Sequence, residues 1–169
     1  MPSHAEPLTT ARLDLLPLRP EHATEMAEVL ADPALHTFIG GAPLDPAALH
    51  ARYTRLAAGS PDPAVVWCNW VLRLRQEDRL VGTVQATVTP ATAEAEIAWV
   101  IGTPWQGHGY AGEAARALVA WLTGPPAPIR TVVAHVHPDH HASAAVARAA
   151  GLSPTDEEHD GERRWRLAL

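Results

Sequence analysis

A single cysteine, Cys68, is all the thiol the chain has. It excludes an internal disulfide and a cysteine-rich zinc module and fits a reducing compartment, so a cytoplasmic location is expected. Lysine is absent, which removes the Gly-Lys-Ser/Thr core of a Walker phosphate loop. No run approaches the ~18 consecutive apolar residues of a membrane-spanning helix. The opening MPSHAEPLTT has no basic region followed by an apolar one, so no signal peptide is expected. Nor does a basic stripe offset the net charge of −6; the nearest grouping is Arg163, Arg164 and Arg166. Nucleic acid and membrane are therefore not expected as partners. What remains is an ordinary globular composition, 169 residues with 47% apolar and 19% charged, enough for one domain with a sizeable core.

Residues 12–19 read as a first strand, and Pro20-Glu21 open a helix to about Leu30. Asp45-Pro46, a cap residue followed by proline, starts a second helix that runs to Ala58 and stops at Gly59. Strands follow over 65–75, 80–89 and 94–101. In the last of these a period of two puts Glu94, Glu96, Ala98 and Val100 on one face. A helix is expected over 112–122, a β-branched strand over 129–137, and a helix capped by Asp139 up to Ala150. The tail reads as a hairpin turning at Asp160-Gly161. Residues 1–169 thus describe one mixed α/β domain.

Between the third central strand and the next helix lies Gln106-Gly107-His108-Gly109-Tyr110-Ala111-Gly112. Glycines let a backbone approach a ligand closely, and the free N–H groups of a helix start hold a pyrophosphate. Such a loop also lets an acidic protein bind a polyanion, by local N–H groups rather than net charge. Gly107, Gly109 and Gly112 fit the dinucleotide spacing GxGxxG too, but no βαβ unit with a ribose-binding acid follows.

Gln106 to Ala111 also match Gln/Arg-x-x-Gly-x-Gly/Ala. That pattern resembles the acetyl-CoA signature of the GNAT acetyltransferase superfamily. GHGYAGEA, preceded by Glu96-Ile97-Ala98-Trp99-Val100, resembles its branch of ribosomal-protein alanine N-acetyltransferases. The opening LTTARLDLLPLRPEHATEM and the segment VHPDHHASAAVARAAGL are similar to the first strand-helix and the late strand-helix of that branch. The resemblance covers nearly the whole chain. It implies an α/β fold of the α+β type: one domain with a central, mixed, mostly antiparallel twisted sheet flanked by about four helices.

The resemblance further implies direct transfer of an acetyl group from acetyl-CoA to a primary amine of a small molecule or peptide. Glu96 is the first choice of base, with Glu94 as the alternate and Trp99 or Trp70 as neighbours that would desolvate it. Backbone N–H groups of Trp99, Val100 and Ile101 would meet the thioester oxygen if the strand splays there. Where many relatives have a tyrosine near the leaving sulfur, this chain has Ala147, but Ser143 matches a serine of the branch it resembles, and the resemblance implies Ser143 as the donor. His140 stands where an asparagine usually contacts the pantetheine arm. His108 and Tyr110 line the phosphate site, with Arg116 and Arg148 as further candidates. No metal is implied. Oligomeric state is open, a homodimer included.

Two other readings compete. One is a non-catalytic acetyl-CoA-binding module, suggested by the missing tyrosine and asparagine. The other is a metal-dependent hydrolase, because residues 135–140 spell H-x-H-x-D-H. In the metallo-β-lactamase superfamily that string comes early and is followed by further ligands, whereas only His141 and His159 follow here.

Overall fold

Alternating apolar residues build one eight-stranded sheet in the computed structural model, which describes residues 1–126 and 128–169. The strands are β1 (Leu8–Thr9), β2 (Leu13–Pro17), β3 (Val66–Leu74), β4 (Arg79–Thr89), β5 (Glu94–Ile101), β6 (Thr131–Val136), β7 (Ser153–His159) and β8 (Glu162–Ala168). Their order across the sheet is β1-β2-β3-β4-β5-β6-β8-β7. The pair β5–β6 is parallel and every other neighbouring pair is antiparallel. Five helices flank it: α1 (Ala23–Val29), the single turn α2 (His36–Ile39), α3 (Pro46–Ala58), α4 (Tyr110–Thr123) and α5 (His141–Ala149).

The period of two in the strands feeds two cores. On one face, Leu18, Met26, Val29, Leu49 and Tyr53 from the α1 and α3 side pack with Val71 and Leu80. On the other, Trp70, Leu72, Val84 and Ile97 meet Leu118 and Leu122 of α4, Ala147 of α5 and Trp165 of β8. Helix α3 starts as its sequence requires: Asp45 Oδ1 accepts from the Ala48 N–H at 2.7 Å and Pro46 takes the first helical position. Burying the apolar faces is the main favourable term, because each large aliphatic side chain withdrawn from water contributes ~1.5–3 kcal/mol.

Three local expectations shift. The cap of α5 is His140 rather than Asp139, since the His140 ring, not the Asp139 carboxylate, reaches the Ser143 N–H. Helix α4 starts at Tyr110, not at residue 112, because Gly109 in the left-handed region already turns the chain into the helix. Strand β1 and helix α2, of two and four residues, are too short to leave a periodic signal. Leu118 is fully buried between α4 and the sheet. Leu118→Ala is expected to lower unfolding free energy by about 2–5 kcal/mol, as read from urea denaturation midpoints at unchanged slope.

Candidate active site

The Gly-rich loop stands at the end of β5, tied there by Gln106, whose Nε2 donates to the Ile101 carbonyl at 3.0 Å. Gly107 and Gly109 have φ of 79° and 82°, a conformation that costs any L-residue about 1–2 kcal/mol. The first bond of α4 runs from the Glu113 N–H to the Gly109 carbonyl. The N–H groups of Tyr110, Ala111 and Gly112 therefore have no partner inside the helix and point, with the positive end of its dipole, out of the loop. The side of Gly112 faces α5, where an added Cβ would come within 3.6 Å of Ala149 Cβ.

Arg12 was not singled out from the sequence, yet it braces this loop. Its Nε donates to Glu113 Oε1 at 2.8 Å, its Nη1 donates to the His108 carbonyl at 2.9 Å, and its guanidinium lies 4.5 Å from the Tyr110 ring centre. Glu113 Oε2 also accepts from Thr10 Oγ1 at 2.5 Å and from the Arg12 N–H at 2.9 Å. Burial by itself would raise the Glu113 carboxyl, but these donors outweigh it and hold the group below its ordinary value. The His108 ring lies over that of Tyr110, and its Nδ1 donates to the Trp105 carbonyl at 3.1 Å. Arg148 lies over the Trp165 ring, 5.2 Å from its centre.

Strands β5 and β6 pair only from Glu94↔Thr131 to Glu96↔Val133 and then part, although both continue. The Gly102 N–H donates to the Val81 carbonyl, on the β4 side. Alternation then turns the N–H groups of Ile101 and Trp99 to the other edge, into the gap that β6 has left. By the same alternation the Val100 N–H faces β4. Of the three backbone donors expected at this point, Val100 is thus withdrawn, and it contributes its side chain to a cavity wall instead.

That cavity, of about 500 Å³, crosses the sheet at the gap. Glu96, Ala98 and Val100 enter it from the face covered by α1 and α3, whereas Trp99 and Ser143 enter it from the α4 and α5 side. Glu96 is half-exposed, and its Oε1 accepts from His135 Nδ1 at 2.9 Å. The aromatic desolvation expected for Glu96 is not found. Trp70 and Trp99 both register with Val84, so they project from the opposite face of the sheet. Glu94 is engaged by Arg164 at 3.2 Å, which also binds Glu157 at 2.7 Å.

Ser143 Oγ accepts from the Trp99 indole Nε1 at 3.2 Å. His140 caps α5, its Nδ1 accepting from the Ser143 N–H at 3.4 Å, and its ring stacks on Phe38 of α2 at 4.3 Å. Burial, then the neighbouring His137 and His141, hold the His140 ring below its usual pKa. The histidines of the 135–140 string thus turn to separate partners: His135 to Glu96, His137 to the Asp139 N–H and His140 to Ser143. Cys68 is buried, and its desolvation pushes the thiol up to about 11, as suits packing rather than nucleophilic chemistry.

A helix start with free N–H groups beside a parted strand pair is an arrangement suited to a ligand that carries phosphate. A family profile described as acetyltransferase (GNAT) domain matches residues 12–153. The chain belongs to the GNAT acetyltransferase family and is an acyl-CoA-dependent N-acetyltransferase, with acetyl-CoA as its acetyl source. Family membership also sets aside the hydrolase reading.

No curated protein matches the sequence significantly. Among solved structures, the ribosomal L7/L12 alpha-N-protein acetyltransferase RimL in complex with coenzyme A superimposes with a TM-score of 0.81 at 16% identity, covering 97% of this chain and 98% of that one. An acetyltransferase from Agrobacterium tumefaciens is 25% identical with a TM-score of 0.73, covering 97% and 95%. An enzyme from Salmonella typhimurium that modifies the N-terminal serine of ribosomal protein L7/L12 gives 0.78 at 15% identity, covering 97% and 99%. Likeness at these low identities is likeness of fold. Among the described residues, no helix is long and apolar enough to cross a membrane.

The neutral His140 ring is the form that can cap α5. Its pKa is lower folded than unfolded, so its contribution to stability is present above the ordinary value of 6.5 and is lost as pH falls through the lowered folded value. His140→Asn keeps a capping acceptor that does not titrate. Thermal melts across this range should show the wild type losing more stability on acidification than the variant. Parallel curves would mean that the cap does not titrate.

Proposed function

We propose that the chain acetylates a primary amine seated on the α1 and α3 side of the cavity, on a protein N-terminus or a small molecule, with acetyl-CoA reaching it from the α4 and α5 side. The observation that carries this reading is that Glu96 and Ser143, from opposite faces of the sheet, line the same cavity where β5 and β6 part. That pairing favours catalysis over a module that only binds. The solved enzyme acting on an N-terminal serine supports a protein N-terminus as one acceptor.

Bound acetyl-CoA supplies the acetyl group as a thioester. The free N–H groups of Tyr110, Ala111 and Gly112 at the start of α4 supply the positive potential that its pyrophosphate requires, in a loop braced by Arg12. Gly107 and Gly109 keep side chains out of the approach. The Trp99 and Ile101 N–H groups are free to donate to an oxygen that gains negative charge, and the sheet holds them in place beforehand.

An amine is nucleophilic only without its extra proton, and Glu96, oriented by His135, accepts that proton directly or through water. A serine hydroxyl has one donor and two acceptor sites. With one acceptor site taken by Trp99 Nε1, the Ser143 O–H remains to donate to the departing sulfur. Because His140 Nδ1 is occupied by the cap, the neutral ring carries its proton on Nε2. It thereby offers a single donor where the asparagine of relatives offers an amide.

Calorimetry should show micromolar acetyl-CoA binding to the wild type and its loss in Gly109→Trp, which puts a bulky side chain at a φ of 82° beside Arg12. Absence of binding to the folded wild type would sink the proposal. With an acceptor identified by CoA release, Ser143→Ala and Glu96→Gln should each lower kcat by about 10²-fold or more, with acetyl-CoA affinity unchanged. A kcat at wild-type level in either variant removes that residue from the chemistry.

A further inference from the structure

Three polar side chains that line the cavity, Tyr53, Asn69 and Gln85, make no side-chain hydrogen bond among the described residues. Tyr53 of α3 is 3% exposed, and its hydroxyl is buried without a hydrogen-bond partner among the described residues. Its neighbours along the same wall are Leu18, Leu49 and Leu56. A phenylalanine would fill this space with the same ring and no unpaired oxygen. Leaving a buried hydroxyl unsatisfied costs stability, so an orphan of this kind calls for an occupant. Burial pushes the Tyr53 phenol up to about 12, so the group is a neutral O–H donor at any working pH.

The floor of the cavity fits the same kind of occupant. Asn69 of β3 and Gln85 of β4 sit opposite each other in register and line the cavity, and neither carboxamide makes a side-chain hydrogen bond among the described residues. Next in that row is Ala98 of β5. Its methyl group leaves room beside the gap, where the amine must lie. A carboxamide both donates and accepts, which suits a planar amide laid across it.

We propose that Tyr53 is a specificity-determining residue whose hydroxyl donates to a carbonyl oxygen of the acceptor, so that the enzyme selects amines carrying an amide or carboxyl carbonyl over simple alkylamines. This inference rests on the acetyltransferase reading of the cavity. A site built to pair a substrate's polar group discriminates strongly against an analogue that lacks it, because the site's own group is then left bare.

The test uses two amines alike except for the carboxamide, L-leucinamide and 3-methylbutylamine. The chain has two tyrosines, Tyr53 and Tyr110, so protein labelled with ¹³Cζ-tyrosine gives two signals, assigned with Tyr53→Phe. In the presence of CoA, leucinamide should move the Tyr53 signal, and 3-methylbutylamine should not. In steady-state assays Tyr53→Phe should raise KM for leucinamide about tenfold or more, with kcat held within about twofold. The wild-type preference for leucinamide should shrink accordingly, while the variant melts no lower than the wild type. An unmoved Tyr53 signal at saturating leucinamide, an unchanged KM, or equal use of the two amines by the wild type overturns the proposal. So does a wild type that binds acetyl-CoA and acetylates neither amine. A wild type that binds no acetyl-CoA instead removes the reading of the site on which the proposal rests.

Discussion

The parting of β5 from β6 beyond Glu96 and Val133 is the constraint on which the site depends. A continuous ladder would spend the N–H groups of Trp99 and Ile101 on β6 and would close the sheet between its two faces. Parting leaves those donors unpaired and opens a passage that both faces reach. Helix α4 packs on β5 and α5 on β6, so each strand stays supported while the backbone between them is free. The Trp99 indole reaches from β5 to Ser143 on α5 and links the two sides of the gap. Unpaired backbone donors are costly inside a protein unless a ligand or water meets them, which makes this the natural place for a ligand.

Charge follows the same local logic. The protein carries a net charge of −6 and belongs to a family that binds a polyanionic cofactor. Local donors resolve the conflict: the start of α4 offers aligned N–H groups, and Arg12 stands beside them, neutralised on its other side by Glu113. The Arg12–Glu113 pair spans two segments remote in sequence, with Thr10 adding a third contact. It fastens the opening of β2 to the loop, so the loop is shaped by the fold before any ligand arrives. On the opposite side, Arg164 engages both Glu94 and Glu157, while Glu96 pairs with His135.

Much of the fold was legible in the residues. Strand β5 falls where its alternation puts it, α3 begins at the Asp45 cap and proline, and the terminal hairpin turns at Asp160-Gly161. The loop from Gln106 to Gly112 announced itself by its glycines and its place before a helix. The site was less legible. Glu96 and Ser143 were named from resemblance and do line one cavity, but the aromatic shielding expected for Glu96 failed because strand register places Trp70 and Trp99 on the other face. Arg12 left no sequence signal, since it looks like a surface cation until its neighbours are known.

Periodicity, capping residues and glycines act over a few neighbouring positions, so the sequence by itself determined the longer elements, the glycine-rich loop and the absence of an internal disulfide. Which side chains share a cavity depends on strand order, on register and on where pairing stops. Those are set by packing between segments far apart in the chain. The tertiary structure alone therefore decided that His135 would hold Glu96, that Val100 would lose its N–H to β4, and that the hydroxyl of Tyr53 would be buried without a partner among the described residues.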